Sequence, residues 1–198
     1  AFRYRGQPRG WLYNRVAHFG EADLAHLPKL LAWYAEGRVP VRVEIIPADF
    51  TATLGQAMSE AGLYPSSFDI VYAGRIDGAG SAAAEEGDIL ISEVRDRADF
   101  KAFLNARQMA FNAPEVRAGA LDTQLRRLRR PEQHHFMALA GGEPVGAASM
   151  FVAGDAAYLA LAGTIKAWRG RGAQQALLRT RISRAASLGC DLVVGMAE

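Results

Sequence analysis

Arg169, Gly170, Arg171 and Gly172 alternate two cations with two glycines. That combination suits an anion. Glycine lets backbone N–H groups approach a phosphate closely, and the first turn of a following helix adds unpaired donors and a positive dipole end. The arginines bring charge-assisted donors to the same place. The elements needed to position such a loop stand on either side of it. Tyr158 to Ile165 is an apolar, strand-like run, and about Ala173 to Leu188 reads as a helix. An ordinary strand-to-helix turn can carry two glycines and solvated arginines as well. The agreement of strand, loop and helix favours the anion site.

Other side chains with chemical potential form no such pattern. His134 and His135 are adjacent, so on a strand they point to opposite faces and cannot share a metal. No H-x-x-x-H, C-x-x-C or nucleophile-elbow spacing occurs, which leaves metal-hydrolase and serine-hydrolase readings unsupported and predicts no metal. Arg126, Arg127, Arg129 and Arg130 form a basic cluster, but no stacking aromatic is interleaved and the leucines between them define a buried face. A solvated helix side accounts for them better than a nucleic-acid surface.

Composition sets the outer limits. The chain has 198 residues, half of them hydrophobic, with a formal net charge of +2, enough for one large domain or two small ones and weak evidence for a polyanionic partner. The single cysteine, Cys190, rules out an internal disulfide and fits a reducing, cytoplasmic compartment. It reads as a small buried residue at the start of a strand. The longest run without a charged residue, Pro144 to Gly154, is too short to span a bilayer, so no membrane partner is expected.

In chain order, Trp11 to Phe19 can be a strand. Leu24, Leu27, Leu31 and Tyr34 then follow helical spacing, with Pro28 starting or kinking the helix and Gly37 stopping it. Val39 to Ile46 alternates as a strand; Phe50, Leu54, Met58 and Ala61 form a second helical stripe; Phe68, Ile70 and Tyr72 alternate again. Residues 1–74 are therefore expected to form a βαβαβ lobe. Residues 75–87, small and without an apolar period, read as a linker. Residues 88–198 follow the order βααβββαβ. Phe100, Phe103, Leu104 and Phe111 mark the first helix, Leu121, Leu125 and Leu128 the second, and Gly141-Gly142 the turn of a hairpin.

The loop resembles the acetyl-CoA signature of the GNAT N-acetyltransferases, Q/R-x-x-G-x-G/A. Arg169 takes the first position and Gly172 the fourth; Gln174 stands at the sixth, where the family has Gly or Ala, and Lys166 where many members carry proline. The resemblance covers roughly Asp88 to Glu198 and includes Glu143-Pro-Val-Gly-Ala-Ala-Ser-Met150, which looks like the family's third strand. It implies an α/β fold with a GNAT-like mixed sheet flanked by helices. The N-terminal lobe resembles a degenerate GNAT half, because His18-Phe-Gly-Glu-Ala-Asp23 puts Glu21 and Asp23 where a phosphate loop would need glycines and cations.

The resemblance further implies transfer of an acetyl group from acetyl-CoA to a small-molecule or peptide amine by direct attack in a ternary complex. Gly170, Arg171, Gly172, Ala173, Gln174 and Gln175 would meet the pyrophosphate with Arg169 beside them. Ala162, Gly163 and Thr164 would offer main-chain groups to the pantetheine amides, freed by a β-bulge near Gly163. Many members hold a catalytic carboxylate on this strand, yet Tyr158 to Ile165 has none. Tyr158 and a water chain remain open as proton routes. A non-catalytic acyl-CoA sensor is the alternative reading. Leu192-Val-Val194 looks like an inner strand, so its far edge should be covered by residues downstream of Glu198 or by the strand Phe68 to Tyr72.

Overall fold

The computed structural model describes residues 1–3, 14–76, 88–112 and 130–197. The chain divides into two compact units, Ala1–Phe68 and Asp69–Glu198.

In the first unit, the expected helix around Leu31 forms as α1, Leu27–Glu36, after a 3-10 turn over Glu21–His26. Pro28 sits in the first turn, where its missing N–H would have had no intrahelical partner. The second stripe forms α2, Ala52–Glu60, whose N-cap Thr51 accepts the Leu54 N–H at 3.1 Å. Tyr34, Leu54, Leu27 and Val39 bury a small core between them. The expected strand Val39 to Ile46 appears as one parallel bridge, Val16 to Val43. Its partner segment runs into residues 4–13, outside the described set. The third expected strand of this lobe belongs elsewhere.

That strand, β1 (Ile70–Arg75), joins the second unit's sheet. The sheet continues through β2 (Ile89–Glu93), β3 (Gln133–Ala140), β4 (Glu143–Ala153), β5 (Ala156–Thr164) and β6 (Leu192–Ala197), in the spatial order β1-β6-β5-β4-β3-β2. Among the described strands of this sheet, only the β5–β6 pair is parallel. Ile70 pairs with Ala197 and Arg75 with Leu192, so β1 takes the edge of β6 that would otherwise stand open. Residues 77–87 of the expected linker and the expected helix around Leu125 lie outside the described residues.

Turn chemistry sets the registers. Gly141 and Gly142 both adopt positive φ, +56° and +86°, the requirement of a two-residue hairpin whose twist matches its strands. Alternation along the strands then feeds two layers. Met137 and Ala147 pack with Phe100 and Phe103 of α3, Arg97–Ala110. Phe136, Ala138 and Met150 pack with Leu177 of α4, Ala173–Ser187. Each fully buried large side chain is worth roughly 1.5–3 kcal/mol. Gly189, at φ +84°, ends α4, with the Cys190 N–H bonded back to the Ala185 carbonyl at 3.0 Å.

Candidate functional site

β5 is where the sheet becomes irregular. Its register against β4 runs Gly146–Thr164 and Ala147–Gly163, then jumps to Ser149–Ala160. Two residues on β5, Leu161 and Ala162, stand opposite one on β4, Ala148, which makes a bulge. Leu161 holds φ at +50°, a conformation that costs a branched side chain of order 1 kcal/mol or more. On its other side β5 pairs with β6 only from Ala156–Leu192 to Leu159–Gly195. The expected bulge near Gly163 therefore lies one and two residues earlier, and beyond it the two parallel strands part.

A cleft of about 520 Å³ opens there, with Ala162, Gly163 and Thr164 on one wall and Arg169, Gly170, Gly172, Ala173, Gln174 and Gln175 on the other. The glycines of the loop are needed for their backbone. Gly170 lies at φ +75° and Gly172, the N-cap of α4, at +84°, and a Cβ on either would meet no atom within 4 Å. No side chain caps α4 and its first turn carries no acid, so the N–H groups of Ala173, Gln174 and Gln175 have no intrahelical acceptor.

The two loop arginines divide in role. Arg169 donates from Nε to the Thr164 carbonyl at 3.2 Å and from Nη2 to the Ala110 carbonyl at 3.4 Å, tying the end of β5 to the end of α3. Arg171 stacks its guanidinium 4.7 Å from the centre of the Trp168 ring and is not among the residues lining the cleft. Gln174 Oε1 accepts from the Thr164 hydroxyl at 3.5 Å, so its side chain turns toward β5.

Ala110, Phe111 and Trp168 also line the cleft, and sequence reasoning missed them. For Ala110 and Phe111 the one signal is glycine at 163. A Cβ there would lie 2.9 Å from Phe111 Cε2 and 3.0 Å from Ala110 Cβ, a close approach that only a tertiary contact reveals.

The two histidines take opposite faces, as their adjacency requires. His134 Nδ1 lies 2.8 Å from Glu93, which also pairs with Arg184 of α4 at 3.5 Å. His135 lies under α3, its ring 4.9 Å from that of Phe103 and its Nδ1 2.9 Å from Ser149 Oγ. Residues 126–129 of the arginine cluster lie outside the described residues.

Residues 100–197 match the family model described as Acetyltransferase (GNAT) family. The second unit belongs to the GNAT family. The fold of the chain agrees. It is similar to a GCN5-related N-acetyltransferase from Kribbella flavida, at 16% identity over 95% of this chain and 73% of that one, with a TM-score of 0.67. The GCN5-related N-acetyltransferase from Sphaerobacter thermophilus gives 20% identity over 92% of this chain and 64% of that one, with a TM-score of 0.71. An aminoglycoside acetyltransferase, meta-AAC0020, from an uncultured soil metagenomic sample, solved with sisomicin, covers 56% of this chain at 16% identity, 78% of its own length and a TM-score of 0.52. No curated protein matches. No helix among the described residues is long and apolar enough to cross a membrane.

Proposed function

We propose that the GNAT unit is an N-acetyltransferase that takes its acetyl group from acetyl-CoA and delivers it to an amine. The observation carrying this reading is the cleft between the bulged end of β5 and the glycine-opened N-terminus of α4. Its two walls suit the two parts of the co-substrate. Gly170 to Gln175 present backbone donors, the positive end of a helix dipole and no acid, which fits a pyrophosphate. Ala162 to Thr164 present strand backbone on the side that has parted from β6, which fits the amides of the pantetheine arm. Acetyl-CoA supplies the activated acyl group. The chain's part is to fix its position, keep the thioester beside the bulge and accept the acceptor's proton.

Calorimetry with acetyl-CoA tests this directly. The parent should bind, and Gly172→Glu should abolish binding, since a carboxylate and a strained left-handed backbone would replace the donors. A folded Gly172→Glu protein with parental affinity would show that the anion sits elsewhere.

A further inference from the structure

A second, smaller pocket of about 120 Å³ adjoins the cleft across the bulge. Leu161 lines the pocket and Ala162 lines the cleft. The same helix roofs both, with Arg107 over one and Ala110 over the other, about 4.5 Å apart along its axis. A group held in the pocket therefore lies next to whatever the cleft delivers.

The pocket wall is mostly apolar, with Phe100, Phe151 and Leu161 prominent, and its buried polar pair is His135 and Ser149. Among the described residues that line it, the charged one is Arg107 and none is a carboxylate. An apolar cavity of roughly 150 Å³ accommodates a benzene ring, so the volume is of ring size. Among those described residues a polycation would find no counter-charge.

We propose that this pocket receives the acceptor, a monoamine with a ring-sized apolar body, and that Ser149 and His135 carry away its proton. The proposal rests on the acetyl-transfer reading. In the Nε2–H tautomer of His135, the Ser149 hydroxyl donates to Nδ1 across the 2.9 Å contact. An ammonium entering the pocket gives one proton to Ser149 Oγ as that hydroxyl passes its own to His135. The freed nitrogen bonds to the thioester carbonyl carbon, the carbon–sulfur bond breaks, and the sulfur leaves as a thiol with the second nitrogen proton. Once the product has left, His135 Nδ1 returns its proton through Ser149 Oγ to water in the pocket. Among the described residues, the charged groups around the pair are Arg107, which lines the pocket from α3, and Arg181, which reaches the Ser149 carbonyl from α4 at 3.2 Å. β5 contributes Ala160 and Leu161, neither of them titratable.

The test uses the full chain with acetyl-CoA, phenethylamine as acceptor and sisomicin as the polycationic comparison, following CoA release. Phenethylamine should be acetylated with a kcat/KM at least tenfold above that for sisomicin. Ser149→Ala and His135→Gln should each lower kcat about a hundredfold, the usual scale of general-base loss, and erase the rise of kcat with pH. Calorimetric affinities for acetyl-CoA, and for phenethylamine in the presence of CoA, should stay within threefold. Ser149→Ala keeps the main-chain carbonyl that Arg181 holds, so it serves if His135→Gln does not fold. A parent that binds acetyl-CoA but does not acetylate phenethylamine, or that prefers sisomicin, overturns the proposal. So does an undiminished kcat in Ser149→Ala. A parent that fails to bind acetyl-CoA overturns the acetyl-transfer reading first and this proposal with it.

Discussion

Arg181 of α4 donates from Nη1 to the Ser149 carbonyl at 3.2 Å and to the Ala160 carbonyl at 3.4 Å, bridging β4 and β5 where their register breaks. Its Nε also returns to Leu177 O, at 3.1 Å. The side chain is 3% exposed, and burial pushes its pKa down to about 10. A buried cation held by carbonyl dipoles is costly to place and more costly to remove, because its loss leaves carbonyls without donors. Arg181→Ala should destabilise the fold by about 3 kcal/mol. Arg181→Lys should recover little of that, since one ammonium cannot reproduce the guanidinium fork. Urea midpoints check both, and a loss under about 1 kcal/mol would show that the bulge stands without its arginine.

Gly163 meets the end of α3 with no room for a methyl group. Gly163→Ala should cost about 1–3 kcal/mol, the range for overpacking, and weaken acetyl-CoA binding by moving Phe111 into the cleft. Phe111→Leu in the same chain should return part of the loss. Additive effects in the double variant would mean that the two positions do not press on each other.

Cys190 is buried beside the C-terminus of α4. Burial, with Asp155 and Asp191 near it, raises its pKa above the ordinary 9.0. A thiol should therefore persist in the native protein at neutral pH and react slowly with thiol reagents until unfolding exposes it. Because the folded value is the higher one, this stabilisation is complete below the unfolded value and is lost as pH rises through the folded value. The gap in urea midpoint between the parent and Cys190→Ala should narrow above about pH 9. A widening gap would reverse the sign.

The first unit should add no acetyl-CoA site. Asp23 accepts the Gly20 N–H at 3.0 Å and Glu21 accepts from the Thr51 hydroxyl, so the acids at this turn serve their own backbone and neighbours. Calorimetry on the full chain should give one acetyl-CoA per chain. Two equivalent sites would contradict it.

Much of the second unit was fixed by local sequence. Gly141-Gly142 set a hairpin, the stripe from Phe100 set α3, and Gly172 opened α4, because turns and periodicity act within a few residues of themselves. The loop from Arg169 to Gln175 was legible for the same reason. Tertiary structure decided what depends on distant partners. β1 left the lobe that precedes it and paired with β6, because an inner strand far along the chain offered unpaired backbone groups. The bulge fell at Leu161 and Ala162, because Arg181 and the end of α3 constrain β5 from opposite sides. Arg169 went to two carbonyls, Arg171 stacked on Trp168, and Phe111 closed against Gly163. Each is a contact between residues remote in sequence, and no local pattern encodes which partner a side chain will find.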